Sequence, residues 1–414
     1  MNQRIRKVLL NFAKKHHFFM SLFRKIDSLY KRIKYYRFRF LKPDEKLIVF
    51  ESFIGSKYAD SPRAIYEYMI NDKRFSSYSF IWFFNTPDEY KFLENNRNTK
   101  VLKYRSNDYF RYYAMAGYWI SNSRVYYDLK KKNGQKYIQC WHGTPLKKLG
   151  FDIEVTGGNA MNSVKDIRHK YQSDAIKYDY MVSPSKFVTE KYKSAFNLDN
   201  CNKKVKIIEK GYPRNDFLSN FNSSDVKSIK KNLGIPSKKK VILYAPTWRD
   251  DQHESGVGYV YESPVNFDYL KDELSNEYII LFRAHYFVAN SFNFDKYKDF
   301  VYDVSNYSDI NDLYVISDLL ITDYSSVFFD YSILKRPIIF YMYDLDNYKS
   351  KLRDFYIDLH ELPGEIVQKE EDLVKVIEKS NNFRYNDKYK KFNNKFTYLE
   401  DGKATERVVS EIFK

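Results

Sequence analysis

Short apolar runs recur along the chain with the lengths of buried strands: 46–51 (KLIVFE), 78–84 (YSFIWFF), 118–121 (YWIS), 137–141 (YIQCW), 179–182 and 205–209. Helical patterns lie between them at 62–70 and 108–115. After a polar stretch the alternation restarts, with runs at 241–245, 278–283, 319–322 and 337–341 and helical patterns at 308–316 and 326–334. Near-continuous apolar runs suit parallel strands covered on both faces. Strands that alternate with helices predict an α/β architecture of doubly wound, Rossmann-like domains. The polar stretch 219–240 carries Gly-Ile-Pro just before a strand and marks the connection between two halves. The expected organisation is therefore a first domain over 43–225, a second over 226–400, and a terminal helix over 401–414 that crosses back to the first half. Two such halves enclose a cleft, and clefts between domains are common ligand sites.

A different pattern occupies residues 1–42. Ile5, Val8, Leu9 and Phe12 recur at helical spacing, as do Phe19, Leu22, Phe23, Ile26 and Ile33, with basic residues between them. This basic amphipathic segment suits an anionic membrane surface; it equally suits a helix that packs its apolar stripe on its own domain. Lysines interrupt each short apolar run, so it is not a signal peptide. No stretch reaches the length of a membrane-spanning helix.

Composition changes this picture in three ways. A chain of 414 residues, 43% hydrophobic, exceeds one ordinary core and fits two domains of roughly 200 residues. The formal charge of +17 is concentrated: residues 1–42 hold 13 basic residues against Asp27, a net +12, and the remaining 372 carry +5. A nucleic-acid binder spreads basic charge over its folded surface, so no nucleic-acid partner is expected. The two cysteines, Cys140 and Cys201, fit no metal or redox spacing and agree with a reducing compartment.

The chemistry-bearing residues collect at the carboxyl ends of the expected strands, where open α/β sheets bind ligands. The first group is Trp141-His142-Gly143-Thr144-Pro145. His142 titrates near neutrality and could act as a general base; Gly143 permits close backbone approach, and Thr144 and Lys147 can bond oxyanions. A histidine bonded to a neighbouring carbonyl in a turn is the plainer reading. The second is Pro246-Thr247-Trp248-Arg249, or an ordinary exposed loop. The third is Arg283-Ala284-His285, where the two-residue strand period puts Arg283 and His285 on one face, for a phosphate or for a strand-end ion pair. The fourth is Thr322-Asp323-Tyr324-Ser325-Ser326, a strand end that opens a helix. A helix start offers free N–H groups to phosphate, and Ser325 also reads as a cap. Asp344-Leu345-Asp346 is a weak metal signal, and Cys140 reads as a small buried hydrophobe. His16, His17, His169, His253 and His360 receive no role.

Taken in order, Trp141–Pro145 with Leu146-Lys147-Lys148-Leu149-Gly150, Gly211-Tyr212-Pro213-Arg214-Asn215-Asp216, Ala245-Pro246-Thr247-Trp248-Arg249, Arg283-Ala284-His285, Thr322–Ser326 and Arg336-Pro337-Ile338-Ile339-Phe340-Tyr341 resemble the CDP-glycerol glycerophosphotransferases, the primases and polymerases of teichoic acids and related capsule polymers. The resemblance spans about residues 136–367. It implies a glycosyltransferase-B type fold of two Rossmann-like domains facing a cleft, no metal and no cofactor. It implies a CDP-glycerol or CDP-ribitol donor, a lipid-linked acceptor, and a peripheral location on the cytoplasmic face of the cell membrane. His142 and His285 are the implied catalytic residues. The implied substrate-binding residues are Trp141, Gly143, Thr144, Pro145, Arg214, Pro246, Thr247, Arg283, Ala284, Ser325, Ser326 and Asp330. The chain departs from the family pattern at Tyr286, where a proline is usual, and at Arg353-Asp354-Phe355-Tyr356, where Arg-Gly-Phe-Tyr is usual. Two other readings stand beside this one: a sugar transferase of the same fold with a nucleotide-sugar donor, and a non-catalytic scaffold at a membrane surface.

Overall fold

The computed structural model describes residues 29, 33, 35–154, 163–247, 253–254, 258–259, 264–284, 294–345 and 355–414. The apolar runs build two parallel sheets. The first holds β1 (Asp44–Glu51), β2 (Ser79–Phe84), β3 (Thr99–Lys103), β4 (Ala116–Ser121), β5 (Lys136–Gln139), β6 (Tyr180–Ser183) and β7 (Lys206–Glu209), in the order β3-β2-β1-β4-β5-β6-β7. The second starts with β8 (Lys240–Ala245). A small antiparallel ribbon of β9 (His253–Glu254) and β10 (Gly258–Tyr259) follows. Then β11 (Tyr278–Phe282), β12 (Val301–Asp303), β13 (Leu319–Thr322), β14 (Ile338–Tyr341) and β15 (Glu365–Val367) complete the order β12-β11-β8-β13-β14-β15.

Both sheets are covered on both faces, which is why their strands read as unbroken apolar runs. In β1, Leu47 and Val49 join the core on one face while Ile48 and Phe50 join the core on the other. In β8, Val241 and Leu243 divide from Ile242 and Tyr244 in the same way. Two doubly wound domains result.

The helices that matter for the site are α1 (Asp60–Asn71), α2 (Asn107–Met115), α3 (Ser223–Asn232), α4 (Ile310–Ile316), α5 (Val327–Tyr331) and α6 (Ala404–Ile412). Helix α3 lies inside the polar stretch 219–240; Asn222 caps it with a reciprocal bond to Asp225, and Ile229 enters the second core. Helix α6 sends Val408, Val409 and Ile412 into the core beneath Ile48, Phe50, Ile120 and Ile138, so the end of the chain packs on the first sheet.

Residues 1–28 of the basic segment lie outside the described residues. Leu29 and Ile33, one helical turn apart, are 57% and 59% exposed, whereas Tyr35 is buried in the first core and its hydroxyl donates to the Lys130 carbonyl. No described helix is long and apolar enough to cross a membrane.

The strand orders locate the site. In the first sheet the chain moves outward from β1 to β3, then returns to place β4 beside β1. In the second it moves outward from β8 to β12, then returns with β13 beside β8. A crevice opens beyond the carboxyl ends of two such strands, because the loops that follow them leave in opposite directions.

Candidate active site

Each crevice is stitched across by a side-chain oxygen. In the first, Phe53 N–H, just after β1, donates to Asn122 Oδ1 at 2.8 Å, and Ile54 N–H donates to Ser123 Oγ at 3.0 Å. In the second, Thr247, just after β8, donates its N–H and hydroxyl to Asp323 Oδ1 at 2.9 and 2.7 Å. Phe53 and Ile54 both adopt left-handed backbone, with φ of 46° and 58°. Bulky residues rarely accept that conformation, and where they do the strain marks a site that the surrounding bonds enforce.

His142 follows β5, next to β4. Trp141 before it has φ of 52°, which turns the chain sharply out of the strand. The indole stays in the first core against Tyr171, Tyr192 and Phe196, and the imidazole lies on it at 4.4 Å between ring centroids, 28° from parallel. His142 Nδ1 lies 2.9 Å from the Asn122 carbonyl oxygen. A carbonyl only accepts, so Nδ1 carries the proton and Nε2 presents a lone pair. Protein crowds the ring, yet the residue keeps an exposed surface. Burial pushes its pKa below the ordinary histidine value; the bond to Asn122 and the Asp60 carboxylate oppose that shift. The ring is thus neutral at neutral pH, with a fixed tautomer and a free basic nitrogen.

The loop continues across the cleft. A Cβ at Gly143 would meet Ser326 Oγ, at the start of α5, at 3.1 Å. A side chain there would need the Ser326 hydroxyl to give way by a few tenths of an ångström, so glycine suits this close approach of the two loops. Thr144 and Pro145 are buried, and Leu146 enters the core of the second domain, where its carbonyl accepts from Tyr356 N–H at 2.8 Å. The loop that carries His142 is therefore anchored in both domains, by Trp141 in one and Leu146 in the other.

On the second-domain side, Pro246 and Ala284 are buried, and Ala284 N–H donates to Ser305 Oγ at 3.0 Å. Arg283 turns Nη1 onto the carbonyls of Val304 and Tyr307 at 3.0 and 3.1 Å. Ser325 Oγ accepts from Val327 N–H at 3.4 Å, and Ser326 stands half-buried with its hydroxyl not engaged in capping the helix it precedes. His285, Trp248, Arg249 and Asp346 lie outside the described residues.

Arg214 and Asp330 meet each other. Arg214 is 5% exposed; Nη2 reaches the two Asp330 oxygens at 3.1 and 2.9 Å, Nη1 lies 3.5 Å from Asp60 Oδ2, and the guanidinium covers the Tyr212 ring at 4.2 Å. Asp60 begins α1 of the first domain and Asp330 belongs to α5 of the second, so this buried arginine ties the halves together. A cavity of about 370 Å³ opens beside the cluster; six carboxylates, among them Asp60 and Asp309, line it against three cations, Arg63, Arg214 and Lys403, an excess of negative charge that does not favour a diphosphate.

Two residues of the site escaped sequence reasoning: Asn122, which fixes the histidine, and Lys57, which reaches over from the first domain and donates to the Tyr307 carbonyl at 2.8 Å; Asp323, which fixes Thr247, belongs to the fourth group but has no role of its own there. Asn122 had a usable signal, the polar triplet Ser121-Asn122-Ser123 directly after an apolar strand.

Comparison with known proteins agrees with this architecture. A model of the family described as CDP-Glycerol:Poly(glycerophosphate) glycerophosphotransferase matches residues 34–414. The teichoic acid poly(glycerol phosphate) polymerase of Bacillus spizizenii is 40% identical over 94% of this chain and 98% of its own length. The teichoic acid glycerol-phosphate transferase of Staphylococcus aureus is 41% identical over 94% of this chain and 99% of its own. The chain spans about half the length of other poly(glycerol phosphate) polymerases that it matches. Among solved structures, the wall teichoic acid polymerase TagF superposes with a TM-score of 0.81 at 38% identity, over 95% of this chain and 96% of that one. With the family model covering nearly the whole chain and the fold superposing end to end, the chain belongs to the CDP-glycerol:poly(glycerophosphate) glycerophosphotransferase family.

Proposed function

We propose that this protein transfers a phosphoalditol group from a CDP-alditol to a hydroxyl at the end of a lipid-linked acceptor and releases CMP. Glycerol is the expected alditol, since both relatives aligned nearly end to end are described by glycerol phosphate. The observation that carries the reading is the histidine geometry. Nδ1 is committed to the Asn122 carbonyl, so Nε2 is a ready acceptor for the proton of an attacking hydroxyl, in a loop that touches the start of α5 through Gly143 and Ser326. Phosphoryl transfer needs little covalent help and depends on positioning and charge stabilisation. Arg283, the hydroxyls of Ser325 and Ser326 and, by family resemblance, His285 serve the diphosphate. The basic segment 1–42 holds the protein on the anionic, cytoplasmic face of the membrane that carries the acceptor.

The test is CMP release from CDP-glycerol and from CDP-ribitol with a short lipid-linked acceptor. Wild type is expected to turn over one donor. His142→Ala is expected to lose about 10²–10⁴ of that rate, the usual worth of a general base, and to keep its affinity for CDP. A near wild-type rate in His142→Ala would refute the base assignment.

A further inference from the structure

Two cations converge on one carbonyl where the domains face each other. Arg283 Nη1, from the end of β11, reaches Tyr307 O at 3.1 Å. Lys57 Nζ, from the strained loop after β1, reaches the same oxygen at 2.8 Å. The two charges thus lie within about 6 Å of one another, each partly stripped of water. Even with the Val304 carbonyl, which Arg283 Nη1 also reaches at 3.0 Å, neutral carbonyls are poor partners for two charges. The nearby groups do not balance them: Asp309 pairs with Arg63 at 3.2 Å, and Asp312 accepts the Tyr307 hydroxyl at 2.9 Å. Arg63 in turn also holds Glu67 at 2.9 Å. Burial, and after it the Arg283 charge, lower the Lys57 pKa to about 8, while Asp309 opposes the shift. A like-charge pair held half-buried at the mouth of a nucleotide site has the electrostatics of an anion site.

We infer that Lys57 is the first domain's contact to the phosphoryl group being transferred, binding the non-bridging oxygens of the donor's β-phosphate together with Arg283. The inference rests on the transferase reading. In the step it serves, the acceptor hydroxyl oxygen forms a bond to the β-phosphorus while the bond from that phosphorus to the oxygen shared with the α-phosphate breaks. The hydroxyl proton passes to His142 Nε2, and the electron pair leaves with CMP. Lys57 exchanges the Tyr307 carbonyl for a phosphoryl oxygen, so both domains grip the group being transferred. A lysine that merely tethered the domains would need a hydrogen bond and no charge.

The experiment compares Lys57→Met, Lys57→Gln and Lys57→Arg with wild type in CMP release from CDP-alditol across pH, alongside calorimetric titration with CDP and with CMP. Methionine and glutamine are expected to lower kcat/KM by about 10²–10³, the usual worth of one preorganised phosphate donor. Both should weaken CDP, which has a β-phosphate, by about tenfold or more and leave CMP, which lacks one, nearly unchanged. Arginine should retain most activity and move the alkaline limb of kcat/KM upward from near pH 8, because it does not titrate there. Rescue by glutamine, equal losses for CDP and CMP, or an unmoved alkaline limb in the arginine variant would each overturn the role of Lys57. Absence of CMP release by wild type would count instead against the transferase reading.

Discussion

Glu51 closes β1 with a fully buried carboxylate. Its Oε2 accepts the hydroxyls of Tyr109 and Tyr113 at 3.0 and 2.9 Å, while Oε1 is buried with no hydrogen-bond partner among the described residues. Burial raises its pKa to about 7 from an ordinary 4.5, against the lowering effect of the two tyrosines. Between those values the folded chain binds more protons than the unfolded one, so stability is lost as pH rises through the window, and the whole cost is present above pH 7. A shift of this size is worth about 3 kcal/mol at most. A glutamine would leave part of its amide unpartnered, at a cost of about 1–2 kcal/mol. Glu51→Gln is therefore expected to be more stable than wild type by about 1–2 kcal/mol at pH 8, with the advantage gone below pH 4.5. Denaturant melts at pH 5 and pH 8 check this; an equal difference at both would mean that the carboxylate is not the titrating group. At this scale the sequence is unevenly legible. His142 and Gly143 stand out because they break an apolar run. Lys57 does not, being one loop cation among 70 lysines and arginines, and only the fold brings it opposite Arg283. The left-handed turns at Phe53 and Trp141 are equally silent, since nothing in those side chains asks for them.

At the scale of elements, the central strands announced themselves, and three of the four edge strands of the large sheets did not. Strands β3, β12 and β15, absent from the pattern reading, lie at sheet edges with one or two buried positions each. They bury too little to write a continuous apolar run, whereas the edge strand β7 is legible at 205–209 because Val205, Ile207 and Ile208 still write one. The connecting segment after β7 held another surprise. Arg214 and Asp330, both implied by the resemblance to bind substrate, also hold each other, and Arg214 reaches Asp60 as well, across the two domains. Removal of one partner from a buried ion pair leaves uncompensated charge and costs about 3–5 kcal/mol. Arg214→Met is expected to lower stability by that amount, and Asp330→Asn in the same chain to restore part of it, because the stranded carboxylate is then gone. Thermal melts of the single and double variants decide. A double variant as unstable as the sum of both singles would show that the two side chains do not act as a pair.

For the molecule as a whole, charge is unevenly placed, and the proposed membrane contact rests on that. The body beyond residue 42 is close to neutral, and the terminal 42 residues carry +12. A basic residue near an anionic surface is worth about 1 kcal/mol, and the attraction fades with salt. Apolar side chains at helical spacing add burial: Ile33 is the described end of that stripe, and Leu29, one turn before it, is exposed as well. The junction matters for the test. Tyr35 is 3% exposed and packs in the first core, so a truncation at residue 42 would damage the fold as well as the charge. Neutralisation of Arg4, Arg6, Lys7, Lys14 and Lys15 to glutamine removes five charges and leaves that packing alone. Flotation with vesicles holding about one-third anionic lipid is expected to recover wild type at 0.1 M salt, to lose most of it at 0.5 M, and to recover little of the neutralised variant at either. The variant should still release CMP with a soluble acceptor analogue, because the histidine loop and the proposed donor contacts lie elsewhere in the chain. Equal binding to neutral and anionic vesicles would mean that burial alone holds the protein on the bilayer. Absence of binding to both would return the basic stripe to a role within its own domain.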